Sequence, residues 1–398
     1  MPDPTVSIIV PTFNRARYLP ECLDSLLAQT LPASEIIVVN DGSTDDTARV
    51  IRPYLDRITY VEKENGGKST ALNLVMPGIQ SDYVWIFDDD DVALPDALEI
   101  HVGTLEANPG AGFTYSTYYE GQTGPNGRIR EGALHALVDP YRDALLAQLL
   151  EGCFLAQPGI VVRASCYREM SPFDSRLIRS QDYDMLLRLS RRFQSIRIEK
   201  PTYIYRAHSG MRGSIASTFP AERQGIEWFK YDKIIFERLY DELTLSEYLA
   251  GNQKNQPLAH PEKRQALLRR MRVMATRGLW QHATTDLERL SQDNGLQEPL
   301  SEFERRLCRK TMGNKLAIEE TLFKKSFLPI VGRLCRGLGG TEMRYEFARE
   351  LYYHVVREFR KRDYRFAVTV FVSVIRILGF PGAVEWIKFK LKLPSKIQ

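Results

Sequence analysis

Over the first 120 residues, short apolar runs alternate with amphipathic stretches. "TVSIIVPT" (5–12), "EIIVVND" (35–41), "RITYVEKE" (57–64) and "DYVWIFDDDD" (82–91) are rich in β-branched and aromatic residues. Their near-continuous apolar character predicts strands buried on both faces. Between them, "YLPECLDSLLAQ" places Leu19, Cys22, Leu23, Leu26 and Leu27 on one helical face. "DDTARVIRPYL", "KSTALNLVM" and "PDALEIHVGTLEA" read as further helices, the last with proline in its first turn, where a missing N–H costs nothing. Strand–helix alternation of this kind predicts an α/β, mostly parallel sheet flanked by helices. Ligands of such sheets bind beyond the carboxyl ends of the strands. The polar clusters "PTFNR", "NDGSTDD", "ENGGK" and "DDDD" all fall there.

The pattern changes after residue 120. "GQTGPNGRIREG" reads as a turn-rich hairpin or loop, "QPGIVVRASCY" as a strand entering a helix, "QDYDMLLRLSRR" as a helix and "SIRIEKPTYIYRAH" as a hairpin. Beyond about 220 strand signals fade and amphipathic helices take over. The expected division is therefore 1–218, a catalytic α/β domain, and 219–398, a mostly helical domain with an acceptor, partner or membrane-surface role.

Charge sharpens this division. The net charge is +4, but residues 301–398 carry 21 Lys+Arg and 10 Asp+Glu, a balance of +11, which leaves −7 for the rest. The basic tail is either a solvated helical surface or a peripheral contact with an anionic membrane or acidic partner. At its end Lys388, Lys390 and Lys392 alternate with Phe389, Leu391 and Leu393. A strand would separate the two sets onto opposite faces, whereas a helix would scatter them. No run reaches the roughly 18 apolar residues of a spanning helix. Five cysteines without CxxC spacing argue against a disulfide framework or a zinc site. With no recognisable signal peptide, they point to a reducing, cytoplasmic setting.

Four adjacent aspartates, Asp88 to Asp91, repel one another unless a cation sits among them. Mg²⁺ takes one or two carboxylates and completes its shell with phosphate and water. Asp91 is expected to face water or cap the helix that follows. In "NDGSTDDT", Thr44 or Asp45 suits an N-cap. Two glycines before Lys68 at a helix start suit an anionic phosphate, although the spacing is not that of a P-loop.

"VSIIVPTFNR", "EIIVVNDGSTDDT", "NGGKSTALN", "IFDDDDVALPDAL" and "SQDYDMLLRL", in this order, resemble the inverting nucleotide-sugar glycosyltransferases of the large bacterial type, glycosyltransferase family 2, with a GT-A fold. The resemblance covers roughly residues 5–215. It implies that Pro11 and Thr12 line the nucleotide base, that Asp41 accepts a hydrogen bond from it, and that Lys68 lies near the base or phosphates. It places the D-x-D motif in the aspartate run, with Asp89 at the ribose, Asp90 as metal ligand and Asp88 in either role. Asp182 matches the catalytic base, while Gln181 stands where many members have Glu. His208 is a candidate near the diphosphate or metal, and Arg206 a further phosphate candidate.

The implied reaction is transfer of a sugar from a nucleotide-diphosphate sugar, a UDP-sugar first, to an acceptor hydroxyl with inversion. It would be assisted by Mn²⁺ or Mg²⁺ and serve bacterial cell-surface polysaccharide or glycan assembly, on an unknown glycan or lipid-linked acceptor. The competing readings are a nucleotidyltransferase, which would want a glycine-rich first loop that "PTFNRARY" lacks, and a nucleotide-sugar-binding protein without catalysis. Nothing points to nucleic acid.

Overall fold

All seven residues of strand β1 (Val6–Thr12) are buried. A strand sealed on both faces needs helices above and below, and the chain supplies them in order: α1 (Leu19–Leu27), β2 (Glu35–Asn40), α2 (Thr47–Val50), β3 (Thr59–Glu62), α3 (Lys68–Val75), β4 (Tyr83–Ile86), β5 (Val92–Ala93) and α4 (Ala97–Glu106). Then follow β6 (Ala111–Ser116), β7 (Tyr118–Thr123), β8 (Ile129–His135), α5 (Leu145–Glu151), β9 (Ile160–Arg163), α6 (Ala164–Arg168), α7 (Gln181–Arg192), β10 (Gln194–Ile198) and β11 (Tyr203–Ala207). This computed structural model describes residues 3–137, 145–207, 212–214, 217–219, 223–251, 255–324 and 327–392. The chain divides into two compact units, 1–231 and 232–398.

The first unit holds a seven-stranded sheet in the order β10-β6-β9-β4-β1-β2-β3. Only β9 runs antiparallel to its neighbours β4 and β6. A second sheet of four strands has the order β5-β11-β7-β8. Of the two readings left open for 121–132, hairpin or loop, the structure shows the hairpin, made by β7 and β8. The hairpin anticipated at 195–208 is not formed: β10 pairs with β6 in the large sheet and β11 with β5 and β7 in the small one. The 199–202 link is a crossing between sheets, not a turn. One consequence is that β11 reaches the residues just after the aspartate run.

His101 of α4 is fully buried under the large sheet, with Nδ1 2.8 Å from Thr114 Oγ1 and Nε2 3.1 Å from Thr202 Oγ1. Burial pushes its pKa down from 6.5 to about 3. The unfolded chain takes up this proton below 6.5 and the folded chain does not, so stability is full above 6.5 and falls as pH drops toward 3. From this group alone the loss at pH 5 is about 2 kcal/mol. We expect His101→Gln to flatten the decline of the urea midpoint between pH 7 and 5. An unchanged slope would assign the acid sensitivity to other groups.

The second unit is helical, as anticipated. It contains the end of α8 (Gln224–Glu242), then α9 (His260–Thr276), α10 (Trp280–Gln292), α11 (Glu302–Thr311), α12 (Lys315–Lys324), α13 (Phe327–Leu334), α14 (Gly337–Arg360) and α15 (Tyr364–Lys392). Its polar faces are not simply solvated. Arg270 is buried, binds both oxygens of Asp286 at 2.9 and 2.6 Å, and lies over the Tyr240 ring. The alternation at the C-terminus does not form a strand: the backbone is helical through Lys392, broken at Gly379 (φ +72°).

Candidate functional site

The loops after β1, β2 and β3 are fastened to one another by side chains that accept backbone N–H bonds. Asn14 Oδ1 accepts from Thr44 and Asp45 at 2.7 and 3.2 Å. Asn40 Oδ1 closes the 40–43 turn through the Ser43 N–H at 2.9 Å. Asp45, not Thr44, supplies the N-terminal contact for α2, accepting from the Thr47 N–H at 3.0 Å. Gly42 sits at φ +74°, and a Cβ there would lie 2.7 Å from the Asn65 nitrogen, so only glycine lets these two loops meet.

Asp41 is the centre of that meeting. Its carboxylate accepts from Lys63 Nζ at 2.6 Å, Asn65 Nδ2 at 3.1 Å, and the N–H groups of Gly66 and Gly67 at 3.0 and 2.7 Å. Lys63 is a partner the sequence reading missed. Its signal was available: a lysine at the carboxyl end of a strand, beside the glycine pair. Pro11 and Thr12 end β1 next to β2, and Thr12 lies against Asp89.

Strand β4 stops at Ile86, and the four aspartates form the turn that carries the chain to β5 in the other sheet. Each is sent a different way. Asp88 pairs with Lys68. Arg15 Nε lies 3.9 Å from Asp89 and 3.6 Å from Asp90. Asp91 is buried and accepts the Arg206 N–H at 2.8 Å. Asp91 is therefore neither a helix cap nor a solvated group, since its donor comes from β11, 115 residues later.

Arg206 is also corrected by the structure. Its guanidinium is fully buried and occupied within the chain. Nε donates to the Asp90 carbonyl at 2.7 Å, and the terminal nitrogens donate to Thr123 at 3.0 Å and Glu21 at 2.5 Å. Its plane lies 4.8 Å from the Tyr18 ring centre. It pins the acidic turn in place, and with its side chain fully buried it presents no donor at the surface to a phosphate.

Charge in this turn is only partly answered. Burial, more than any neighbour, raises the pKa of Asp88, which Lys68 partly offsets. Burial and then Asp90 push Asp89 up to about 7. Burial, Asp90 and Asp88 hold Asp91 well above the carboxylate range, and its Oδ2 has no hydrogen-bond partner among the described residues. A cluster of hard oxygen donors with excess negative charge suits a divalent cation. Among the described residues no three acidic, histidine or cysteine side chains form a ready-made metal cage. The chain would thus offer one or two carboxylates and leave the remaining positions to phosphate and water.

Helix α7 brings Asp182 to this edge. Ser180 in the left-handed region (φ +59°) turns the chain into the helix, and Asp182 and Asp184 occupy its first turn. The 177–178 segment rests on the start of α3, where Ser69 Oγ donates to the Leu177 carbonyl at 3.4 Å. Asp182 consequently acts electrostatically on both Lys68 and Asp88. Burial alone would lower the Lys68 pKa, but Asp88 and Asp182 outweigh it and raise it. Gln181 is buried, and its side-chain oxygen has no partner among the described residues. Pro11, Thr12, Asp41, Lys68, Asp88, Asp89, Asp90 and Asp182 lie on one edge of the first unit, whereas His208 falls outside the described residues.

A mostly parallel sheet with one reversed strand, a small second sheet and an acidic turn between them is the GT-A architecture. The match to the crystal structure of TarS from S. aureus has a TM-score of 0.51 at 16% identity, covering 80% of this chain and 53% of that one. Residues 7–170 match the model of "Glycosyl transferase family 2". An uncharacterised glycosyltransferase of Rickettsia prowazekii is 34% identical over 198 residues, 48% of this chain and 59% of that protein. The hyaluronan synthase of Pasteurella multocida is 27% identical over 244 residues, 58% of this chain and 24% of that protein. The chain thus spans little more than half the length of the first of these relatives and a quarter of the second.

Proposed function

We propose that the chain is an inverting glycosyltransferase that moves a sugar from a nucleotide-diphosphate sugar, a UDP-sugar first, to an acceptor hydroxyl. The observation that carries this reading is the approach of Asp182 to Lys68 and Asp88 beside the acidic turn. A carboxylate base, a cation and a cluster of oxygen ligands lie within electrostatic reach of one another.

Asp41 and the Pro11–Thr12 end of β1 would hold the base, and Asp89 the ribose. Asp90 and Asp88 would hold Mn²⁺ or Mg²⁺. A divalent cation bound there supplies positive charge against the departing diphosphate. Lys68, kept protonated by Asp88 and Asp182, lies where it can add to that charge. Asp182 takes the proton as the acceptor O–H bond breaks. The acceptor oxygen forms its bond to the anomeric carbon while the bond from that carbon to the diphosphate oxygen breaks. Attack opposite the leaving group inverts the centre, and no protein nucleophile is required. The helical unit after the catalytic domain, with its boundary near 218, would select the acceptor in cell-surface polysaccharide or glycan assembly.

Incubation with UDP-, GDP- and dTDP-sugars in Mn²⁺ is expected to release nucleoside diphosphate, most strongly from a UDP-sugar. Release of pyrophosphate from a nucleoside triphosphate and a sugar phosphate would replace this reading with a nucleotidyltransferase. Donor binding without turnover across a panel of glycan and lipid-linked acceptors would count for a binding protein.

A further inference from the structure

Helix α15 is apolar on two sides. Phe366, Ala367, Val370, Val374 and Ile377 are buried within the second unit. On the other side Tyr364, Val368, Phe371 and Val372 follow one another at helical spacing, and they are 51, 59, 37 and 40% exposed. Phe359, at the end of α14, is 59% exposed and meets Tyr364 edge to face at 5.1 Å, which lengthens the patch by one more ring. Single exposed apolar residues are ordinary, but a continuous stripe of this kind marks a contact surface.

The charge around the stripe has one sign. Arg360, Lys361, Arg362 and Arg365 are exposed at its near end and Arg376 at its far end. No acidic residue occurs from 364 to 384. The acid at the helix start, Asp363, is committed to Lys315 at 3.1 Å and to the Phe366 N–H at 3.3 Å. Among the described residues no helix is long and apolar enough to cross a membrane.

We infer that the outer face of α15 lies in the plane of an anionic lipid surface. Val368, Phe371 and Val372 would enter the acyl boundary, Tyr364 would sit at headgroup level, and the flanking arginines and Lys361 would reach lipid phosphates. A second copy of the chain is a poorer occupant. Packing two such stripes antiparallel about a twofold axis would bring the Arg360–Arg365 end of one against Arg376 of the other. The face holds no acid to answer that charge.

The test is co-sedimentation of the full chain with phosphatidylglycerol vesicles and with phosphatidylcholine vesicles. The protein is expected to pellet with the anionic vesicles at low salt and to be released several-fold at about 0.5 M salt, where screening is short-ranged. The double variant Val368→Glu/Phe371→Glu is expected to lower the bound fraction about tenfold or more, since it places charge where apolar groups must insert. Both positions are exposed, so its melting temperature should match the parent. Arg365→Gln/Arg376→Gln, which keeps the apolar stripe, should weaken anionic binding and leave phosphatidylcholine binding unchanged. Protein that stays in the supernatant with anionic vesicles at low salt overturns the inference, as does equal binding to both vesicle types. A dimer in sedimentation velocity that the glutamate pair abolishes would instead make a second copy the occupant.

Discussion

Asp182→Asn is expected to leave nucleoside-diphosphate affinity within about threefold and to lower sugar transfer by on the order of 10²-fold or more, the usual scale for a lost general base. The substitution keeps shape and hydrogen bonding. An amide oxygen can still accept the Tyr183 N–H now held at 2.8 Å, so the first turn of α7 should persist. Lys68 loses one of its negative neighbours but keeps its direct partner, Asp88, so the donor side of the site is little disturbed. What disappears is the capacity to take a proton. Separate measurement of donor affinity and of single-turnover transfer distinguishes the two effects. Near-normal transfer by the variant would move the base to another residue and take the proposed mechanism with it.

Asp90→Ala should weaken nucleoside-diphosphate binding in Mn²⁺ by about tenfold or more, with little change in EDTA. The backbone of the turn will not collapse, because Arg206 Nε holds the Asp90 carbonyl whatever its side chain. The neighbours do not replace the lost ligand. Asp88 is already the second carboxylate of the proposed pair and also holds Lys68, and Asp91 is turned toward the Arg206 N–H. Asp89 should ionise more easily, since Asp90 is the charge that most raises its pKa after burial. Equal affinity of variant and parent in Mn²⁺ would shift the metal assignment to Asp88.

Much of this architecture was legible in the chain because its strands are short, apolar and separated by amphipathic helices. β1, β2, β4 and α7 stand where periodicity put them. Periodicity does not choose partners, however. The segments 194–198 and 203–207 look like the arms of a hairpin, yet each finds longer-range neighbours in a different sheet. The fate of Asp91 was hidden for the same reason, since no local rule tells a carboxylate that its donor will arrive from β11. Lys63 shows a different kind of gap. Local sequence placed it at a strand end, but only the folded loops reveal that it shares Asp41 with two glycine N–H groups. At the C-terminus a strand-like alternation lies in a helical segment that follows the break at Gly379.

The clamp of Arg206 on the acidic turn also has a consequence for synthesis. The family-matched segment ends at residue 170, before both Asp182 and Arg206. A nascent chain of that length already contains β1 to β4 and all four aspartates, but neither the strand that buries Asp91 nor the helix that faces Lys68. These contacts close loops of more than a hundred residues, the costly, late kind in a folding sequence. On the proposed reading, a donor site would be complete only once both α7 and β11 have docked onto the sheet that carries the aspartates.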